Sequence, residues 1–409
     1  MLNIEKFELT VADYVYIFTI FILVFIGLSA IYSASYQVES SYLKANFSRQ
    51  VVWFLMGTFF LVITVVLPTR VLFAVSYWLY GLSILLLILT LVLNSNVSVS
   101  RWITIGGVQF QPSEIMKIST VLALARYLSF KKRNLNNIKE LSIAFGLILF
   151  PFLLISQQPD LGTAFVFLAV IFPVLYWAGL PTFYLLVIIM PFVVLIASFN
   201  YYAFSAVMIF TAAMLLFFRS GLLVFLSVMI FNIIIGIFTP FLWSHLRGYQ
   251  KHRILTFLGV EIDPHGLSYQ IIQSKVAIGS GGFFGKGILN GTQTQLRFLP
   301  AQHTDFVFSV IGEELGFIGS VFVLGLFLFL LLRGIYICSI VKNKFLSLLV
   351  IGAIVVLGFH TIINIGMTVG IMPVTGLPLP FMSYGGTFLI TSMILVGFVI
   401  HASIRRFRY

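Results

Sequence analysis

Apolar runs of roughly 20 residues recur from one end of this 409-residue chain to the other, and about 20 residues is what a helix needs to cross the hydrocarbon of a bilayer. The runs lie near 14–34, 49–67, 71–93, 113–130, 140–156, 161–178, 181–199, 204–218, 221–242, 307–332, 346–369 and 385–402. They predict an all-α polytopic membrane protein with twelve spans. Composition excludes the soluble alternative: with 60% of residues hydrophobic and 9% charged, the chain could not build a largely polar surface. The expected organisation is a single integral membrane domain over 1–409, interrupted by one long connection at 243–306.

Charge sets the expected orientation. The net charge of +12 sits mostly in short hydrophilic connections, with no basic stripe interleaved with aromatics, so nucleic acid is not an expected partner. Placing the N-terminus inside gathers Arg70, the run 131–139, Arg219, Arg333, Lys342, Lys344, Arg405, Arg406 and Arg408 on one side. The positive-inside rule assigns that side, and with it both termini, to the cytoplasm. The first apolar run has acidic flanks (Glu5, Glu8, Asp13) and spanning length, so it is read as a span and not as a cleaved signal. The single cysteine, Cys338, lies in an apolar run and is expected to be a packed thiol.

The connection at 243–306 then falls outside, yet it carries Arg247, Lys251, Arg253, Lys275, Lys286 and Arg297. Long loops are translocated despite their charge, so a solvated surface would explain these cations. They also suit an electropositive surface for an anionic ligand at the outer leaflet. Residues 269–282 have helix-like apolar spacing before a glycine cluster, as an interfacial helix followed by a turn would.

Only twelve carboxylates are present, and five of them (Glu114, Asp160, Asp305, Glu313, Glu314) fall at or inside predicted span ends. An ionisable group costs at least ~2.5 kcal/mol at mid-membrane, which makes each a functional candidate. Glu114 has Lys117 at i+3, so the two form either an ion pair that orients its helix or a functional pair. Asp160 stands where it would cap the N-terminus of the next span. Glu313 and Glu314 are adjacent and must address different helix faces. Asp305 joins the basic connection to an apolar span. A carboxylate there is placed to deprotonate a sugar hydroxyl attacking a phosphate-activated sugar; a pore-lining or capping aspartate is the alternative. The six histidines show no zinc spacing, and no P-loop or GxSxG element occurs.

Laid side by side, the polar stretches resemble one family. FQPSEIMK (110–117), QPDLGT (158–163), YQIIQSKVAIGSGGFFGKG (269–287), GTQTQLRFLP (291–300), HTDFVF (303–308), GEELG (312–316) and NIGMTVGIMPVTGLPLPFMSYGG (364–386) are similar to the shape, elongation, division and sporulation (SEDS) membrane glycosyltransferases, in that family's order. IQSKVAIGSGG and GTQ look more like the elongation member than the division member. The resemblance implies polymerisation of lipid II, a disaccharide-pentapeptide on undecaprenyl pyrophosphate, at the outer face of the bacterial cytoplasmic membrane. It also implies a class B penicillin-binding protein as partner. Asp305 matches the family's essential carboxylate, Glu114 and Lys117 its glutamate–lysine pair, and Trp102 the tryptophan before it. Gln111, Asp160 and Thr304 lie in the matching stretches as supporting residues. Arg101, Lys117, Lys275, Arg297 and His303 are candidates to balance the two phosphates as the glycosidic bond breaks. A divalent cation could share that work, although so few carboxylates do not suggest a protein cage for one.

The chain departs from the family pattern at Ala301, where glutamate is common, at Arg297, at Gly259 and Val260, and at Ser268. The family core has ten spans; the two extra here are expected to be a helix pair inserted at 204–242. A lipid II flippase remains a competing reading, since glycine- and proline-interrupted spans suit transport, although the polar groups lie mainly on one face. A non-enzymatic cell-wall scaffold is the third.

Overall fold

The computed structural model describes residues 10–36, 41–93, 101–105, 108–130, 135, 137–246, 248–257, 260, 267–296 and 298–406. In chain order the elements are α1 (Val11–Tyr36), α2 (Ser41–Val66), α3 (Thr69–Leu93), β1 (Ile103–Ile105), β2 (Val108–Phe110), α4 (Pro112–Ser129), α5 (Ile138–Gln157), α6 (Leu161–Ala178), α7 (Thr182–Ala197), α8 (Tyr201–Phe217) and α9 (Leu222–His245). They continue with α10 (Gly248–Phe257), α11 (Leu267–Ser280), α12 (Thr292–Gln295), α13 (Val307–Ile340), α14 (Lys344–Thr368) and α15 (Gly386–Ile404). Each of the twelve predicted spans falls on a helix. Among the described residues nine helices are long and apolar enough to cross a membrane, and α7 and α8 are apolar but shorter. The twelfth, α4, carries Glu114, Lys117 and Arg126 and packs inside, against α3, α14 and α15. The small hairpin β1–β2 is an addition to the all-α expectation.

The chain forms two compact units, one of residues 1–174 and 262–409 and a smaller one of 175–261. The smaller unit holds α7 to α10, so the helix pair expected at 204–242 packs there with α7 around Met190, Met214 and Leu215. In the larger unit α14 and α15 are the most enclosed of the spanning helices, and α15 packs along α2.

The two ends of the larger unit differ in chemistry. At one end Asp13, in the first turn of α1, accepts from Arg333 (3.0 Å), Ser403 (2.7 Å) and Arg406 (3.4 Å). There too Arg405 donates to Val65 O at the end of α2 (3.0 Å). The start of α1 and the ends of α2, α13 and α15 therefore share one end. The connection between α9 and α13 is not a bare loop: α11 sits where helical spacing was expected, and Ser274 ties it to Ser309 and to Thr368 O, both at 2.6 Å.

Glycine permits one close backbone approach in this region. At Gly316 (φ +68°) the helical path of α13 breaks. The freed Glu313 and Glu314 carbonyls accept from Lys286 N (3.1 Å) and Gly287 N (3.0 Å), while Phe317 N and Ile318 N donate to Gly282 O and Phe283 O. A Cβ at Gly285 or Gly316 would collide with that facing backbone.

Candidate active site

At the end of the larger unit away from Asp13, five stretches of sequence close around a cavity of about 610 Å³. The first half of α2 supplies Arg49, Val52 and Trp53. The hairpin region supplies Arg101, Trp102, Thr104 and Gln109, and the first turn of α4 supplies Gln111 and Glu114. Asp160 and Thr163 come from the start of α6, and Thr304 and Asp305 from the turn before α13. Gly376, Pro378 and residues 384–388 complete the wall.

Local rules explain much of this convergence. Thr104 pairs with Gln109 across the hairpin, and strand alternation sends 102, 104, 109 and 111 to the same face. Gln111 is extended and Pro112 opens α4, the position where proline's missing N–H costs nothing. Glu114 then falls in the first turn, where the helix dipole favours a carboxylate.

Behind the wall lies a buried relay. Lys117, 1% exposed, donates to Glu114 Oε1 (2.8 Å) and to His360 Nε2 (3.1 Å). An ammonium has only donors, so Nε2 accepts, and Nδ1–H is left to donate to Pro378 O (3.2 Å). Glu114 Oε2 is buried with no hydrogen-bond partner among the described residues.

Asp160 combines two roles. Its carboxylate accepts from Thr163 N (3.3 Å) and Oγ1 (3.0 Å), the expected N-cap, and also from Gln111 Nε2 (3.2 Å) on the cavity side. Arg101 Nη1 stands 3.9 Å from it and donates through Nε to Gln158 O (3.3 Å) and through Nη2 to Pro159 O. The guanidinium is thereby braced at the rim by backbone carbonyls.

Asp305 is held through its backbone. The N–H groups of Thr304, Asp305 and Phe306 all point at Ala301 O (3.1, 3.2 and 3.4 Å). Phe306 anchors the turn in a buried cluster with Leu299, Met367 and Val374. The carboxylate lies against bare backbone: a Cβ at Gly376 (φ +75°) would stand 3.4 Å from Asp305 Oδ2.

Of the residues expected from sequence, Arg101, Trp102, Gln111, Glu114, Asp160, Thr304 and Asp305 line this one cavity. Lys117 sits behind it. His303 is outside the lining: its carbonyl accepts from Tyr384 N (2.9 Å), its ring meets the Tyr384 ring at 5.8 Å, and burial lowers its pKa below the ordinary 6.5, which keeps it neutral at pH 7. Lys275 packs over Gly370, away from the cavity. Arg297 lies outside the described residues. Glu313 and Glu314 both turn from the cavity, Glu313 to residues 292–294 and Glu314 to Ser33 and Leu289 N.

Sequence reasoning missed Arg49 and Trp53, although an arginine at the mouth of an apolar span was a visible signal. Among the described residues no three His, Cys, Asp or Glu side chains gather to hold a metal ion.

Fold and cavity together define a polytopic membrane protein with a charged site at one end of its helix bundle. A family model described as cell cycle protein, spanning FtsW, RodA and SpoVE, matches residues 13–206 and 192–407. Peptidoglycan glycosyltransferase MrdB of Escherichia coli K12 is 36% identical over 360 residues, covering 86% of this chain and 84% of its own. Peptidoglycan glycosyltransferase RodA of Treponema pallidum is 33% identical, covering 96% and 98%. A chain from a peptidoglycan synthase complex, solved to explain how polymerization and crosslinking are structurally coordinated, superposes with a TM-score of 0.71 at 30% identity over 99% of both chains. This chain belongs to the FtsW/RodA/SpoVE family, on its RodA side, and is a membrane peptidoglycan glycosyltransferase.

Proposed function

We propose that the chain polymerises lipid II at the outer face of the bacterial cytoplasmic membrane by inverting glycosyl transfer, with Asp305 as general base. The carrying observation is that Asp305 shares one cavity with a braced Arg101, with Arg49 and with a Glu114 oxygen that has no hydrogen-bond partner among the described residues. Asp305 takes the proton of the acceptor N-acetylglucosamine 4-hydroxyl. The oxygen attacks the anomeric carbon of the donor's N-acetylmuramic acid from the side opposite the phosphate. The bond from that carbon to the phosphate oxygen breaks, and undecaprenyl pyrophosphate leaves with its electron pair. Arg49 and Arg101 offset the charge gathering on the leaving pyrophosphate, where water exclusion strengthens each interaction. Gln111 and Asp160 orient the sugars. His303, neutral, contributes as a support of the Asp305 turn.

The cation distribution supports this sidedness: it leaves the Asp13 end, where α1 starts and α15 ends, in the cytoplasm and the cavity outside. A class B penicillin-binding protein as partner is supported by the likeness to a chain of a peptidoglycan synthase complex. Activity that depends on that partner fits a site whose wall includes several loops, since two substrates must be held in line.

The test is polymer formation from purified lipid II by the detergent-solubilised protein, with and without the penicillin-binding partner, for wild type, Asp305→Ala and Asp305→Asn. Polymer from wild type alone is expected. Normal polymer from either folded variant would remove Asp305 as the base.

A further inference from the structure

The stretch 364–386 carries much of the family resemblance, yet its first residue does not reach the cavity. Asn364 is on α14 and wholly buried. Its Nδ2 donates to two backbone carbonyls, Asp305 O at 2.9 Å and Leu377 O at 2.7 Å. Its Oδ1 has no partner among the described residues. Leaving a buried acceptor unsatisfied is costly, so an apolar residue would serve a merely space-filling role better. The amide's specific capacity is two donors on one nitrogen. Leucine has none at that position, and an aspartate would set a single oxygen, with at most one donor, against both carbonyls.

The two carbonyls belong to the two strands of backbone that face each other across Asp305. One is that of Asp305 itself. The other, Leu377, follows Gly376, the bare backbone against which the Asp305 carboxylate lies. A second bracket fixes the preceding residue: Ser383 Oγ donates to Thr304 O (2.6 Å) and accepts from Leu379 N (2.8 Å). Gln50 of α2 holds that turn in place through Ser383 O and Gly385 N, both at 3.2 Å.

We propose that Asn364 is a positioning residue for the glycosyl transfer: by tying Asp305 O to Leu377 O it sets the distance between the Asp305 carboxylate and the Gly376–Pro378 wall. The inference rests on the reading of Asp305 as the base. It makes Asn364 matter to the rate at which bound substrate reacts, and not to how tightly lipid II binds.

The measurement is lipid II polymerisation over a range of substrate concentration and pH for wild type, Asn364→Leu and the isosteric Asn364→Asp, beside Asp305→Ala. Both Asn364 variants lack the double donor, and a misplacement of about 1 Å costs on the order of 100-fold. The expected result is kcat lowered ~10- to 100-fold with KM unchanged and with the acidic limb of the kcat profile displaced. A purely structural amide would lower the yield or melting temperature of the protein and leave that limb in place. Wild-type kcat in either folded variant, or a raised KM with kcat kept, overturns the inference. Failure of both variants to fold does so as well, because Asn364 is then only a fold residue. Polymer from Asp305→Ala sinks the base and this inference together. Polymer lost in Asp305→Ala but retained in Asn364→Leu sinks this inference alone.

Discussion

Glu114 and Lys117 show at the residue scale how a buried charge is tolerated. Each is almost wholly enclosed, so neither ion keeps its hydration, and their 2.8 Å contact offsets that loss only while both are present. Lys117→Met leaves a carboxylate buried alone and is expected to cost about 3–5 kcal/mol. In a thermal melt of the solubilised protein, Glu114→Leu combined with Lys117→Met should recover most of that loss. Polymer synthesis should not return with it, because Glu114 lines the cavity. A double variant as unstable as the single one would contradict this account. The i, i+3 spacing made the pair visible in the sequence; the third member, His360, lies 243 positions away and could be found only in the fold.

At the scale of elements, the four residues of α12 are too few to hold a helix on their own, since one turn fixes more dihedrals than its hydrogen bonds repay. A neighbouring element supplies what is missing. Glu313 of α13 accepts from Gln293 N (2.8 Å), Thr294 N (3.0 Å), Thr294 Oγ1 (2.8 Å) and Lys286 Nζ (2.9 Å), acting as a cap delivered from another helix. Glu313→Ala should free the 292–295 turn. Hydrogen exchange at the Gln293 and Thr294 amides should rise by at least ~10-fold, the effect of losing about 1.4 kcal/mol of local protection. Unchanged exchange would mean that the turn is held by something else. The adjacent glutamates already implied two different faces. That both faces would serve to dock residues 286–295, and neither would serve the cavity, depended on the break at Gly316.

For the whole molecule, the chemistry divides between two ends: the Asp13–Arg333–Arg406 cluster at one and the cavity at the other. Cys338 is buried, which permits a clean labelling test of the orientation. In spheroplasts, an impermeant maleimide should label a cysteine placed at exposed Phe284 directly, and one placed at exposed Lys139 only after permeabilisation. The reverse pattern would invert the assignment and put the cavity inside. The sequence by itself located the twelve apolar helices, because apolar runs of spanning length have few other ways to satisfy their backbone in lipid. It also determined the separate polar stretches, since an ionisable residue next to a span is costly enough to stand out. Only the tertiary structure decided which of those stretches meet. Arg49 and Trp53 came into the site from α2, whereas His303 and Lys275 stayed out of its lining. The physical reason is that hydropathy records how deep a residue sits, whereas the neighbours it faces follow from how α2, α4, α14 and α15 pack. That packing rests on contacts such as Asn364 to Asp305, between residues 59 positions apart in the chain.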